Sequence, residues 1–219
     1  MLRLHGFAVS NYYNMVHLAL LEKGLVFDTV KAYASQEPQF LAISPRGKVP
    51  VLQTEHGYLS ETGAILDYLE DLGQGRPLLP AEPFARAQVR ALAREIELYI
   101  ELPARSCYAE AFFRTPVEAA IKDKARAELQ AGIAALKRHG RFAPYVAGEQ
   151  FSLADLYFLY SIDLAEVVAQ KVLGFDLLQD FTAARALLQK LQDNPHVQLI
   201  AAQKEAGMAE FMAYIKSKA

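Results

Sequence analysis

The sequence predicts two domains, an α/β domain with the element order βαβ-ββα followed by an all-α domain. Three observations favour this division. Strand-like and helix-like apolar spacings alternate at the start of the chain, Gly and Pro interrupt the pattern at about residues 72–83, and the segments beyond have helical spacing. We therefore predict a first domain over residues 1–77, a linker at about 72–83 and an all-helical domain over residues 84–219.

The chain begins with a predicted βαβ unit. Residues 1–7 and 25–33 have the composition of short strands, and the apolar residues between Tyr12 and Leu20 recur with helical spacing. Gly24 follows directly, in the position that commonly ends a helix. A strand, a helix and a strand within about 30 residues predict two parallel strands joined by a right-handed crossover.

A hairpin and a helix complete the first domain. Residues 50–54 and 58–59 flank the turn-prone pair His56-Gly57, which predicts two antiparallel strands. The next apolar residues have helical spacing from Ser60 onward. The resulting βαβ-ββα order resembles that of a thioredoxin-like half-domain.

The second domain is predicted from helix boundaries. Apolar residues at helical spacing over residues 89–100 lead to Pro103, which should end or kink that helix. Pro116 is suited to the first turn of a second, long helix. Ser152 and Asp155 form a capping box at the start of a third, strongly apolar helix, and we expect Asp155 to have a structural role.

Composition excludes several classes of protein. The chain has 219 residues, 53% of them hydrophobic, and a formal net charge of −2 with neither half basic, which argues against nucleic-acid binding. Its single cysteine, Cys107, cannot form an internal disulfide. No apolar run approaches the ~20 residues that span a bilayer, and no secretory signal precedes the first strand. From these features we expect a cytoplasmic protein. The histidines lack metal-ligand spacing, so we expect no metal site.

The Val49-Pro50 step carries the first functional signal. Pro50 stands between a turn and an apolar strand, where it cannot supply a backbone donor, and a cis bond is expected there. Such a bend would let the amide and carbonyl of Val49 pair with an extended, peptide-like ligand. The alternative is that Pro50 only ends a loop.

A second signal lies at the next helix start. Glu61 and Thr62 precede the apolar helical residues, so they lie at a helix N-terminus, whose free N–H groups and dipole favour an anion. The Glu61 carboxylate could accept hydrogen bonds from an ammonium group. Together they suit a ligand with an α-amino and an α-carboxylate group. The alternative is that Ser60 or Thr62 only caps the helix.

These motifs resemble the glutathione-binding half of the glutathione S-transferase superfamily, in particular its bacterial, serine-type, cytosolic members. The resemblance implies that glutathione binds with its cysteinyl unit on the backbone of Val49, next to Pro50. It implies that Glu61 and Thr62 hold the γ-glutamyl end and that Lys48 faces the glycine carboxylate. Thr62 replaces the serine that is usual in the family.

Ser10 is the candidate catalytic residue. It opens the first helix, where serine-type members carry the hydroxyl that activates the thiol of glutathione, and it is also a good N-cap. Asn11, Tyr12 or Tyr13 could reach the thiol instead, since each has its own donor. Gly6 stands about where tyrosine-type classes have their tyrosine.

The resemblance also implies the reaction and the partners. Glutathione, as co-substrate and with no other cofactor, would be added as a thiolate to an electrophilic small molecule, a detoxification reaction, by a homodimer. An aromatic cluster could line the pocket for the hydrophobic electrophile or belong to the core: Tyr108, Phe112 and Phe113. A disulfide reductase would need a cysteine near Ser10, which is absent. The remaining alternative is a non-catalytic binding or scaffold protein.

Overall fold

A four-stranded mixed sheet lies at the start of the chain in a computed structural model, which describes residues 1–218. The strand order is β2-β1-β3-β4, with β1 and β2 parallel and the other two pairs antiparallel. The predicted βαβ unit and hairpin are thus confirmed. The strands are β1 (Leu2–Gly6), β2 (Phe27–Lys31), β3 (Val51–Thr54) and β4 (Gly57–Ser60).

Three helices accompany the sheet: α1 (Asn11–Lys23), α2 (Pro38–Leu41) and α3 (Thr62–Asp71). α1 crosses from β1 to β2 and ends at Gly24, whose φ of 65° is the left-handed conformation that ends many helices. α3 follows β4 directly, as predicted. The four-residue helix α2 was not predicted, because one turn is too short to show a helical period.

A buried ion pair ties α1 to α3. Lys23 Nζ lies 2.6 Å from a carboxylate oxygen of Glu70, and both side chains are almost fully buried. Glu70 also accepts from the N–H of Leu78, and Lys23 donates to the carbonyl of Arg76. Buried charges are tolerated when they are paired and hydrogen-bonded in this way. The pair therefore holds residues 76–78, where the first domain ends, against its helices.

Six helices form the second unit, which covers residues 79–191. Two of them continue into a π-helical turn, at Glu97–Glu101 and at Ala169–Leu173. The all-helical character predicted for this part of the chain is confirmed. The helices are α4 (Pro83–Ile96), α5 (Leu102–Arg105), α6 (Tyr108–Phe113), α7 (Ala119–His139), α8 (Leu153–Val168) and α9 (Thr182–Gln192).

The start of α7 differs from the sequence prediction of Pro116. The N–H of Val117 donates to the carboxylate of Glu110 at 2.8 Å, and the N–H of Thr115 donates to the carbonyl of Ala109 at 3.0 Å. These bonds fold the chain back onto α6. The helix therefore begins at Ala119, three residues later than predicted.

The capping box at the start of α8 is present as predicted. The Asp155 carboxylate accepts from the N–H and the hydroxyl of Ser152, and from the N–H of Val146 at 2.9 Å. Asp155 is fully buried, and this burial raises its pKa to about 6 although the hydrogen bonds favour the anion. Its contacts are those of a residue that fixes a helix start.

The last helix, α10 (Pro195–Lys218), packs with the sheet unit, which comprises residues 1–78 and those from 192 onward. This differs from the predicted division, which places residues 84–219 in one helical domain. At its start, the side chain of Asn194 donates to Glu22 at 2.6 Å. Further along, Phe211 stacks on Phe7 and Tyr214 stacks on Tyr33, the latter with centroids 4.0 Å apart. Contacts so distant in sequence leave no local signal.

Gly132 allows α7 to lie directly on the first π-helical turn. A Cβ atom at position 132 would lie only 2.3 Å from the carbonyl oxygen of Tyr99. Helix propensity alone predicts that Gly132→Ala gains about 1 kcal/mol of stability. The close approach predicts the opposite sign, a loss of about 1–3 kcal/mol, because α7 must move away from the turn. Chemical denaturation of both proteins measures the difference, and a gain in stability would contradict this packing.

His17 should make the protein sensitive to acid. Its ring is 4% exposed, lies between Tyr13 and Phe27, and has an Nδ1 without a hydrogen-bond partner among residues 1–218. Desolvation lowers its pKa to about 4 from an ordinary 6.5. Below pH 6.5 the His17 ring therefore binds a proton in the unfolded chain but not in the folded chain. The free energy of unfolding should fall by up to about 3 kcal/mol between pH 6.5 and pH 4.

The test for His17 compares denaturant unfolding of the natural protein and His17→Phe at pH 7 and pH 4.5. Groups such as Asp155 titrate in both proteins, so the difference between them isolates His17. The variant should lose less stability on acidification than the natural protein. His56→Gln, at an exposed turn position, is the control and should match the natural protein. Equal losses in all three proteins would contradict the assignment.

Candidate active site

The register of the sheet brings three predicted segments to one edge. His5 at the end of β1 pairs with Val51 at the start of β3, and Val51 pairs with Ser60 at the end of β4. The loop after β1, the loop before β3 and the start of α3 therefore leave the sheet side by side. Ser10, Val49-Pro50 and Glu61-Thr62 belong to these three segments.

Ser10 is the N-cap of α1. Its Oγ accepts a hydrogen bond from the N–H of Tyr13 at 3.3 Å, and the residue is half-buried. A hydroxyl that accepts from a helix N–H can still donate its own proton. The side chain of Asn14 steadies the same loop by donating to the carbonyl of Ala8 at 2.9 Å. Ser10 can thus cap its helix and donate to a ligand at the same time.

The three alternatives to Ser10 lie in the first turn of α1. Asn11 is buried, Tyr12 is half-buried, and Tyr13 is 5% exposed. Burial raises the pKa of Tyr13 to about 12, which makes its phenol a weaker acid than usual. The ring of Tyr13 packs on Gly6, where a Cβ atom would lie 2.3 Å from its Cδ2. Gly6 thus makes room for a core ring, and Tyr13 is poorly suited to support a thiolate.

The loop before β3 presents backbone groups. The Val49-Pro50 peptide bond is cis, as the sequence suggests. Lys48 is exposed and Val49 is half-buried, whereas Pro50 is buried. Gly47, with a φ of 64°, packs so closely on the preceding loop that a Cβ atom would lie 2.1 Å from the carbonyl oxygen of Ser35. The chain is therefore held in place immediately before Lys48 and Val49.

Glu61 has an unusual backbone conformation at the start of α3. Its φ of 70° and ψ of 117° lie outside the regions that non-glycine residues commonly occupy. Its carboxylate is exposed and does not cap the helix. Thr62, the first residue of α3, is 6% exposed. Strained backbone is typical of functional sites, where it fixes the direction of a side chain.

The arrangement suits an extended, zwitterionic ligand. The N-termini of α1 and α3 start from the same edge of the sheet, and both favour negative charge. Between them lies the backbone of Val49, which can pair with a peptide-like ligand. Glu61 and Lys48 add one exposed charge of each sign. An anionic group, a peptide backbone and an ammonium group therefore each have a counterpart.

An apolar cavity of about 260 Å³ adjoins the loop that carries Ser10. Phe7 and Val9 line it from that loop, Tyr33 from beyond β2, and Phe211 from α10. Lys31 and Glu210, which form an ion pair, stand at its polar side. Sequence reasoning missed this cavity because α10 was assigned to the other domain.

The predicted electrophile pocket residues lie on α6 in the second unit. Tyr108 and Phe112 meet edge to face with centroids 5.1 Å apart, whereas Phe113 is 40% exposed. The Tyr108 hydroxyl donates to the fully buried carboxylate of Glu101 at 3.2 Å, and the guanidinium of Arg105 binds the same carboxylate. The ring of Tyr108 is thereby held in a fixed orientation.

Two other kinds of feature are absent from residues 1–218. This part of the chain has no group of three His, Cys, Asp or Glu side chains that could hold a metal ion. None of its helices is both long and apolar enough to cross a membrane. Cys107 is fully buried and unpaired.

Comparison with known families identifies both parts of the chain. Residues 4–77 match the model of the glutathione S-transferase N-terminal domain, and residues 117–190 match that of the C-terminal domain. A glutathione S-transferase from Pseudomonas putida is 64% identical over 217 residues, which cover 99% of each chain. The FtsZ-localized protein A of Caulobacter vibrioides is 28% identical, over 96% of this chain and 95% of its own length.

A solved structure agrees with these matches. Maleylacetoacetate isomerase from Methylobacterium extorquens AM1, crystallised with bound malonate and GSH, is 26% identical and aligns with a TM-score of 0.71 over 90% of this chain and 95% of its own. The family that the sequence motifs indicate is thereby confirmed. This chain belongs to the glutathione S-transferase family.

Proposed function

We propose that this protein is a glutathione transferase that binds glutathione at the sheet edge and activates it as a thiolate. The observation that carries the proposal is the register of β1, β3 and β4, because the segments that contain Ser10, Val49 and the start of α3 leave the sheet side by side. The 64% identical relative named glutathione S-transferase supports the same activity.

Each part of glutathione has a proposed contact. The backbone of Val49, next to the cis Pro50, pairs with the cysteinyl unit. Glu61 accepts from the γ-glutamyl ammonium, and Thr62 together with the N-terminus of α3 binds the neighbouring carboxylate. Lys48, which is exposed, faces the glycine carboxylate.

Ser10 is the proposed catalytic residue. A thiol with an ordinary pKa of about 8.5 is mostly protonated at neutral pH, and only the thiolate is a good nucleophile. Lowering that pKa by two units requires ~2.7 kcal/mol of preferential thiolate binding, which charge-assisted hydrogen bonds can supply. The Ser10 hydroxyl stands at the N-terminus of α1, so both the bond and the helix dipole favour the thiolate.

The thiolate would attack an electrophilic carbon of a hydrophobic small molecule. The thiol proton goes to solvent, and the sulfur lone pair forms the carbon–sulfur bond. The π bond at that carbon breaks, and its electrons move to the neighbouring atom, which takes up a proton from solvent. The proposed pocket residues for this second substrate are Tyr108, Phe112 and Phe113 of the second unit. The apolar cavity of the first unit, beside Phe7 and Val9, is a separate candidate. By analogy with the family, we propose a cytoplasmic homodimer.

The alternative is a non-catalytic binding or scaffold protein, in which the glutathione site is kept or lost. One relative supports this alternative: it is called FtsZ-localized protein A, a name that refers to localisation and to no catalytic activity. Calorimetry with glutathione is the first experiment, and the transferase hypothesis predicts measurable heat of binding. Binding that stays undetectable at millimolar glutathione would leave the scaffold hypothesis.

Glu61→Gln tests the γ-glutamyl contact. If Glu61 binds the ammonium group, the variant should bind glutathione roughly tenfold more weakly, the equivalent of about 1.4 kcal/mol. N-acetylglutathione, which lacks that ammonium, should bind the natural protein and the variant equally. The control Glu55→Gln, at the exposed β3–β4 turn, should leave both affinities unchanged. An equal loss of affinity for glutathione and for N-acetylglutathione would show that Glu61 does not act through the ammonium group.

Ser10→Ala tests the thiol activation. In the variant, the pKa of the bound thiol should rise toward the ~8.5 of a free thiol, because the donor to the thiolate is gone. Ultraviolet titration of thiolate absorbance in the glutathione complex measures this. Asn11→Ala, Tyr12→Phe and Tyr13→Phe are the comparisons and should titrate like the natural protein. An unchanged titration in Ser10→Ala would transfer the role to one of these three residues.

A further inference from the structure

Ser44 is a buried polar residue just before the ligand-binding loop, and it is 1% exposed. Its Oγ donates to the carbonyl oxygen of Lys48 at 2.8 Å and accepts from the N–H of Lys48 at 3.0 Å. A serine hydroxyl has one donor and two acceptor sites, so a single side chain satisfies both backbone groups of Lys48.

The bond to the Lys48 carbonyl also fixes the next amide. The carbonyl of Lys48 and the N–H of Val49 belong to one peptide unit, which is trans and planar. In a trans peptide these two groups point in opposite directions. When Ser44 holds the carbonyl on the protein side, the Val49 N–H is directed away from Ser44, within the peptide plane but on the opposite side of the line that joins the two Cα atoms.

The loop is anchored on the other side of Lys48 as well. The N–H of Gly47 donates to the Ser44 carbonyl at 2.7 Å, and the N–H of Ser35 donates to the Gly47 carbonyl at 3.0 Å. These bonds fix the chain up to Gly47. The Lys48–Val49 peptide itself is held by the bond from the Ser44 hydroxyl to its carbonyl.

We propose that Ser44 is a positioning residue for glutathione, which sets the direction of the Val49 N–H before the ligand arrives. The inference rests on the proposed binding of the cysteinyl unit by Val49. Without the hydroxyl, two backbone groups of Lys48 lose their buried partner, and the peptide can rotate. In such a variant, glutathione binding must also order the Lys48–Val49 peptide, which is already ordered in the natural protein, and this cost weakens the affinity.

The chain offers a matched control at Thr54. Its Oγ1 donates to the carbonyl of Gly57 at 3.1 Å and accepts from the N–H of His56 at 3.0 Å, so the half-buried Thr54 closes the β3–β4 turn with one donated and one accepted bond, as Ser44 does at Lys48. Thr54→Val removes that hydroxyl without touching a proposed ligand contact. Ser44→Ala and Thr54→Val each remove one hydroxyl that closes a turn in the same unit. Only the turn at Ser44 leads into the proposed ligand contact at Val49.

The experiment measures glutathione affinity by calorimetry for the natural protein, Ser44→Ala, Thr54→Val and Ser44→Thr, each shown to be folded by circular dichroism. We expect about tenfold weaker binding in Ser44→Ala and affinity within twofold of the natural protein in Thr54→Val. Ser44→Thr, which keeps the hydroxyl, should restore most of the affinity. The pKa of the bound thiol should stay unchanged in Ser44→Ala, because Ser10 is intact.

Two results would overturn the role of Ser44. One is an unchanged affinity in Ser44→Ala, and the other is an equal loss in Ser44→Ala and Thr54→Val. If Ser44→Ala does not fold, the comparison is made with Ser44→Cys, whose thiol is a weaker hydrogen-bonding group and should give intermediate affinity. Calorimetry of the natural protein alone shows whether glutathione binds at all. No binding there would overturn the proposed function together with this inference.

Discussion

The position of β3 between β1 and β4 is the constraint on which the candidate site depends. Leu52 pairs with Leu4 on one side and with Leu59 on the other, and Leu4 and Leu52 are fully buried. β1 alternates in burial, with Arg3 exposed and His5 half-buried on either side of the fully buried Leu4. A slip of β1 by one residue would put a polar side chain in the place of Leu4, so the burial of Leu4 favours this register. In this register, β1 and β4 end where β3 begins, and α1 and α3 both start from that edge.

The proposed mechanism divides binding from activation. In the proposal, binding uses the backbone of Val49 and the N-terminus of α3, which the fold holds in place, together with the side chains of Lys48, Glu61 and Thr62. In the same proposal, activation depends on the hydroxyl of Ser10, which also caps α1. The positive φ of Glu61 is a local cost of order 1–3 kcal/mol, and the hydrogen bonds of the surrounding sheet and helix offset it.

Local signals in the sequence predicted most of the first unit and the helix starts. Gly24, the hairpin turn and the capping box at Ser152 each act within a few residues, and the structure has all three. The association of α10 with the sheet was not predictable, since it depends on ring stacking between Phe7 and Phe211, far apart in sequence. The late start of α7 has a similar cause, a side-chain bond from Glu110. Ser44 left only a weak signal, a Ser-Pro step before a turn.

A crystal structure of the glutathione complex tests the central claim most directly. We expect the ligand to lie along the sheet edge, with the Val49 N–H donating to its cysteinyl carbonyl, its ammonium group on Glu61 and its sulfur within hydrogen-bonding distance of Ser10 Oγ. Glutathione bound elsewhere, or bound with Val49 unpaired and the sulfur facing away from Ser10, would contradict the account.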